Sequence, residues 1–175
     1  VGSCAVTRYN ADGTLDSTFD GDGKVHFPTG LRFVCNAVAI QPDGKIVTAG
    51  RIGNLSNDDF AVLRLNPDGS RDASFDSDGF VVVSIGPFVD EATAVAIQPD
   101  GKIVVGGSSS SGSDDRPTVV RFKIDGTLDT SFDADGIVTT PIVFGLDVRG
   151  MTLQPDGKIV VAGARVVVTG YIRMR

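Results

Sequence analysis

A single histidine, two cysteines and the lack of any long apolar run set the first limits on this 175-residue chain. With one His and no Cys cluster, neither a zinc centre nor a Ser-His-Asp triad is well supported. That residue, His26, aligns with Val82 and Thr139 of later segments and reads as an ordinary strand position. No apolar stretch approaches the roughly 20 residues that a membrane helix requires. No segment carries a helical apolar period of useful length, and no phosphate-binding or dinucleotide glycine motif occurs. The net charge of −6 argues against nucleic acid or an anionic membrane as the main partner. No leader is visible, and the chain starts with Val1 rather than Met, as a processed product or a fragment would. Cys4 and Cys35 allow one disulfide, which would imply an oxidising compartment, or they are two small buried strand residues.

What the chain does have is glycine, aspartate and β-branched residues in a repeating order. Twenty-two glycines, eight prolines and an apolar content of 41% suit an all-β protein with frequent tight turns. The segment AIQPDGKIVTAG (39–50) returns as AIQPDGKIVVGG (96–107) and TLQPDGKIVVAG (152–163). TRYNADGTLDSTFDGDG, from Thr7, returns as LRLNPDGSRDASFDSDG from Leu63 and VRFKIDGTLDTSFDADG from Val120. Arg8, Arg64, Arg121 and Arg175 mark the period. The repeats run over about 3–58, 59–115 and 116–170, with the start of a fourth at 171–175.

The central repeat predicts four strands, at 92–98, 102–108, 118–124 and 137–143. The first alternates, as a half-buried strand does; the second and third are near-continuous Val/Ile runs, suited to burial on both faces. Pro-Asp-Gly between the first two is a hairpin signal. Four short antiparallel strands at this period describe a propeller blade. The expected fold is therefore all-β: a propeller-type repeat of four-stranded antiparallel blades, about three repeats in one domain over 1–175, with incomplete blades at both ends. The paired motifs resemble the delta-60 repeat of bacterial β-propeller proteins. That resemblance implies a propeller, often secreted or attached to the bacterial cell surface, with mostly unassigned functions. The third repeat departs from the motif at Lys123 and Ile124, so an Asn role shared by Asn10 and Asn66 fails there.

A meander brings the PDG turn and the long Asp-rich loop of every repeat to one edge, collecting 15 of the 22 acidic residues. Closely spaced carboxylates raise calcium as one reading for Asp16, Asp20, Asp22, Asp72, Asp76, Asp78, Asp129, Asp133 and Asp135. The EF-hand spacing fails, however, with Thr18 and Thr29 in the first and last ligand positions. The favoured reading is turn chemistry, with Asp side chains capping backbone N–H groups and Phe19, Phe75 and Phe132 plugging each loop onto its blade. Lys45, Lys102 and Lys158 would partly neutralise this edge. No cofactor is expected, calcium being the one alternative.

The opposite edge is where the repeats differ: its loops at 51–59, 108–117 and 164–170 and its blade connections at 31–34, 87–91 and 144–149 are expected to carry binding. Candidate residues there are Arg32, Phe33, Arg51, Asn54, Asp58, Asp59, Phe88, Asp115, Arg116, Phe144 and Arg149. The expectation is a non-enzymatic secreted or surface scaffold for protein assembly, adhesion or ligand binding, with protein or carbohydrate as partner. Its open half-blades suit head-to-tail self-assembly into a ring or filament, or docking with the remaining blades of a longer chain. The alternative is a fragment of a carbohydrate hydrolase or lyase with a central pocket.

Overall fold

The computed structural model describes residues 3–27, 30, 32–53, 57–112, 115–142 and 146–164. Every regular element among them is a strand. A two-stranded antiparallel sheet pairs β1 (Cys4–Thr7) with β2 (Lys24–Phe27). Two four-stranded meanders follow: β3 (Arg32–Ile40), β4 (Ile46–Gly53), β5 (Asp58–Leu65) and β6 (Phe80–Val83), then β7 (Asp90–Ile97), β8 (Ile103–Ser110), β9 (Asp115–Phe122) and β10 (Ile137–Thr139). A last antiparallel pair, β11 (Asp147–Leu153) and β12 (Ile159–Ala164), repeats the first half of a blade. The expected four-strand period holds, with open sheets at both ends; residues 171–175 lie outside the described residues.

The apolar runs are continuous because the middle strands serve two interfaces at once. On β5, Phe60 and Val62 face the following blade, whereas Ala61, Leu63 and Leu65 face the preceding half-blade. One core lies between the two complete blades, joining Val47, Phe60 and Val62 to Ile103, Val105 and Val120. The other seats Val25 and Phe27 of β2 against Phe33, Ile46 and Leu63. Each such side chain contributes about 1.5–3 kcal/mol by leaving water. Phe33 and Phe80 add an edge-on ring contact at 5.0 Å.

Strand one of each repeat carries a bulge, between Cys35 and Ala37, Ala92 and Ala94, and Val148 and Gly150. The residue opposite is always glycine, and the close approach of the backbone requires it. A Cβ at Gly50, Gly107 or Gly163 would lie 1.8, 2.1 or 2.1 Å from the carbonyl oxygen of Val34, Glu91 or Asp147. The bulged residues reach forward to the next blade: Asn36 Nδ2 donates to the Ala92 carbonyl at 2.9 Å and Thr93 Oγ1 to the Val148 carbonyl at 2.8 Å.

The strands also reach further toward the variable edge than the sequence suggests. The segments 51–59 and 108–117, expected as loops, are largely strand, with β4 running to Gly53, β5 starting at Asp58, β8 ending at Ser110 and β9 starting at Asp115. The blade connections 31–34 and 87–91 likewise give way to strand at Arg32 and Asp90, and strand four of the central blade stops at Thr139 rather than 143. Ladder pairing rather than side-chain polarity sets these ends: Arg51 pairs with both β3 and β5, and Asp58, Asp59 and Asp115 pair with β4 or β8, so polar residues continue the sheet. Cys4 and Cys35 form a disulfide with Cα atoms 5.2 Å apart, stapling β1 to the first strand of the next blade.

Candidate functional site

The acidic edge is built from one unit written three times. After strand three, an Asp closes a tight turn: Asp12 Oδ1 accepts the Thr14 amide and hydroxyl at 3.0 and 2.6 Å, as Asp68 does for Ser70 and Asp125 for Thr127. Four residues on, Asp16, Asp72 and Asp129 cap Thr18, Ser74 and Ser131 in the same way. The chain then enters the left-handed region at Asp20, Asp76 and Asp133 (φ 51°, 47° and 50°). It leaves through Asp22, Asp78 and Asp135, which accept the amides of Lys24, Phe80 and Ile137. At Lys123 the Asn role is absent, as expected: Asn10 and Asn66 bond Thr14 and Ser70, whereas the third turn is held by its backbone and Asp125.

An arginine locks each unit. Arg8, Arg64 and Arg121 donate Nε to Asp16, Asp72 and Asp129 at 2.7, 2.6 and 2.8 Å. Their guanidinium carbons stand 4.7, 4.5 and 4.5 Å from the ring centres of Phe19, Phe75 and Phe132. Phe19 and Phe75 are fully buried, the plugs that the sequence suggested, while Phe132 is half-buried. Nη1 of Arg8 reaches the Pro67 carbonyl, and that of Arg64 the Ile124 carbonyl at 2.5 Å, both in the next repeat's turn. The amides of Asp20 and Asp76 bond the Asp68 and Asp125 carbonyls of those turns.

Lysine from the PDG turn completes the unit, Lys45 Nζ lying 2.9 Å from Asp72 and Lys102 Nζ 3.2 Å from Asp129. Burial opposes the charge on Asp72, but the Lys45 and Ser74 hydrogen bonds and the Arg64 charge outweigh it and hold the carboxyl well below the usual range. Asp129 is lowered in the same direction, first by the Ser131 hydroxyl. Asp12, Asp16, Asp68, Asp125 and Asp156 are also lowered, each first by the side-chain hydrogen bond it accepts. Among the described residues no group of three or more His, Cys, Asp or Glu side chains is arranged to hold a metal ion.

The variable edge carries a smaller charged cluster that crosses blades. Buried Asp58 receives Arg32 at 3.1 Å and Arg51 at 3.4 Å, and Arg51 Nη1 stands 3.3 Å from Glu91 on the next blade. Asn36 donates to Glu91 at 3.0 Å. Glu91, within the connection 87–91, and Asn36, a bulge residue of β3, are not among the candidates the sequence offers, because it is packing of one blade on the next that brings them together with Arg51. Asp59 is half-buried on β5, with one carboxylate oxygen that has no hydrogen-bond partner among the described residues. Arg116, on β9, helps line a pocket of about 290 Å³ with Ile85, Ser109 and Thr139.

Asp115 begins β9, and its carbonyl accepts the Leu146 amide at 2.9 Å. Phe88 is 43% exposed beside Gly112. Arg149 is exposed and pairs with Asp147 at 2.5 Å. Phe33 is a correction: it is wholly buried on β3 and belongs to the core, because the strand begins at Arg32, inside the residues expected as a connection. Asn54 and Phe144 lie outside the described residues.

No curated protein matches the chain. Residues 3–19, 41–75, 98–132 and 154–173 match the family described as "Domain of unknown function (DUF5122) beta-propeller". The two complete matched segments run from Gln41 to Phe75 and from Gln98 to Phe132, from the PDG turn to the phenylalanine plug. The chain therefore belongs to this β-propeller repeat family, as its delta-60-type motifs suggest.

Proposed function

We propose that the chain is a non-enzymatic, secreted or cell-surface β-propeller scaffold for protein assembly, adhesion or ligand binding, assembling head-to-tail through its open half-blades. The observation that carries this reading is the commitment of the repeated carboxylates. Asp16, Asp72 and Asp129 each hold an arginine and cap their own loop, so none stands free as an acid or base. The Cys4–Cys35 disulfide supports an oxidising location. Binding falls to the variable edge, where Arg32, Arg51 and Glu91 offer charges across two blades, held in place by the buried Asp58.

The test is a panel of glycans and proteins offered to the purified chain, with binding and turnover both recorded. Retention of a partner without turnover, weakened by Arg51→Ala, is the expected result. Glycan cleavage that disappears with Asp58→Asn or Glu91→Gln would establish a carbohydrate-active enzyme instead.

A further inference from the structure

We propose that a second copy of this chain completes the half-blade β11–β12, with its β1 and β2 adding to β12 as strands three and four. The proposal rests on the head-to-tail reading above and specifies its joint, with the second copy's β1 taking the place that 171–175 of the same chain holds in the sequence period. Among the described residues the joint between successive repeats is made twice, and the same parts stand unmatched beyond it on either side. At one end, Arg121, Phe132 and Asp133 occupy the places of Arg64, Phe75 and Asp76. Among the described residues no carbonyl is bonded to Arg121 Nη1 or to the Asp133 amide. At the other end is the turn Asn10–Gly13, equivalent to the turns that fill those places elsewhere. A Cβ on Gly69 would lie 3.1 Å from the Asp20 amide, and one on Gly126 2.9 Å from the Asp76 amide; on Gly13 it would meet nothing within 4 Å.

The charges are split in the same manner. Lys45 and Lys102 each bind the loop aspartate of their own blade. Among the described residues Lys158 pairs with Asp156 alone, while Asp16 has Arg8 and Thr18 but no lysine. The apolar surface is split as well. Val160 is 44% exposed where its counterparts Val47 and Val104 are fully buried, and Val38 is 61% exposed where Val95 packs on the core. A cavity of about 320 Å³ between Ala5–Thr7 of β1 and Cys35, Val38 and Thr48 marks the missing second strand.

In the complete blades Ile46 pairs with Leu65 and Ile103 with Phe122. That register sets Ile159 opposite Tyr9 of the second copy and Ala164 opposite Cys4. It brings Lys158 to the second copy's Asp16, and Arg121 to the carbonyl of its Ala11. Counted over the described residues, each copy contributes two complete blades and two halves, so two identical joints would close a ring of six blades, within the usual propeller range.

Native mass spectrometry and sedimentation equilibrium of the full chain test this, with three variants. Lys158→Glu changes a side chain that is 73% exposed. Gly13→Ala adds a methyl group that is free in one copy and would strike Asp133 and Phe132 in the joint. Gly21→Ala, at a position with φ 82° and open space, is the control for backbone strain. The expected result is a dimer whose dissociation constant rises by about tenfold or more in the first two variants and is unchanged in the third. A dimer indifferent to Lys158→Glu and Gly13→Ala would overturn this joint while leaving self-assembly standing. A monomer at all concentrations would overturn both, and would assign the open half-blade to 171–175 or to further blades of a longer chain.

Discussion

Arg64 holds Asp72, Ser74, the Ile124 carbonyl and the Phe75 ring with one guanidinium group, itself almost wholly buried. Removing it leaves Asp72 buried with Lys45 as its remaining cation. Arg64→Ala is therefore expected to destabilise the fold by about 3–5 kcal/mol, read as a shift in the urea midpoint at unchanged slope. Arg64→Lys should recover less than half of this, because an ammonium cannot present a planar fork to several acceptors at once. The same carboxylates predict the acid limit. Folding lowers Asp72 and Asp129, so in acid the unfolded chain takes up their protons first. Their contribution is complete above the ordinary carboxylate value of about 4 and is lost as pH falls through the lowered folded values. Melting temperature should be level from neutrality to about pH 5 and drop steeply below about pH 4; a flat profile down to pH 3 would refute this account.

The strands and turns show which features a sequence can disclose. Four strands per repeat were legible because turn residues and apolar runs recur at one spacing. The strand ends were not, because ladder hydrogen bonds carry Arg51, Asp58 and Asp115 into the sheet regardless of polarity. The bulge was hidden for a related reason: its cause is backbone proximity across β7 and β8, which no residue type announces except the glycine opposite. That glycine makes a paired test. Gly107→Ala places a methyl group against the Glu91 carbonyl and should cost about 3 kcal/mol or more, whereas Gly150→Ala, with open space, should lie near zero. Thermal melts of the two variants decide it. The disulfide closes a separation of 31 residues, and reducing it should remove about 3–4 kcal/mol in the chain-entropy picture. The expected sign is a lower melting temperature in reductant that Cys4→Ser reproduces.

Across the whole molecule, the acidic edge was legible as a place but not as a mechanism. Recurrence of Arg8, Arg64 and Arg121 was visible as a period marker; that each arginine lies eight residues before an aspartate and eleven before a phenylalanine was the available clue to the lock. With those carboxylates already engaged, millimolar calcium is expected to leave the melting temperature unchanged. A clear rise would make the loops a metal site, since a cation bound only to the folded state stabilises it by mass action.

The forward-reaching arginine and the turn that receives it also bear on how such a chain changes over generations. Among the described residues Arg8 and Arg64 each reach a turn of the next repeat in the same way, so the two junctions share one design. A recombination event between Arg64 and Arg121 would lose one whole repeat and rejoin Leu63 to an arginine already suited to the place. Gain or loss of units is then an inherited variation in number that leaves no damaged seam behind.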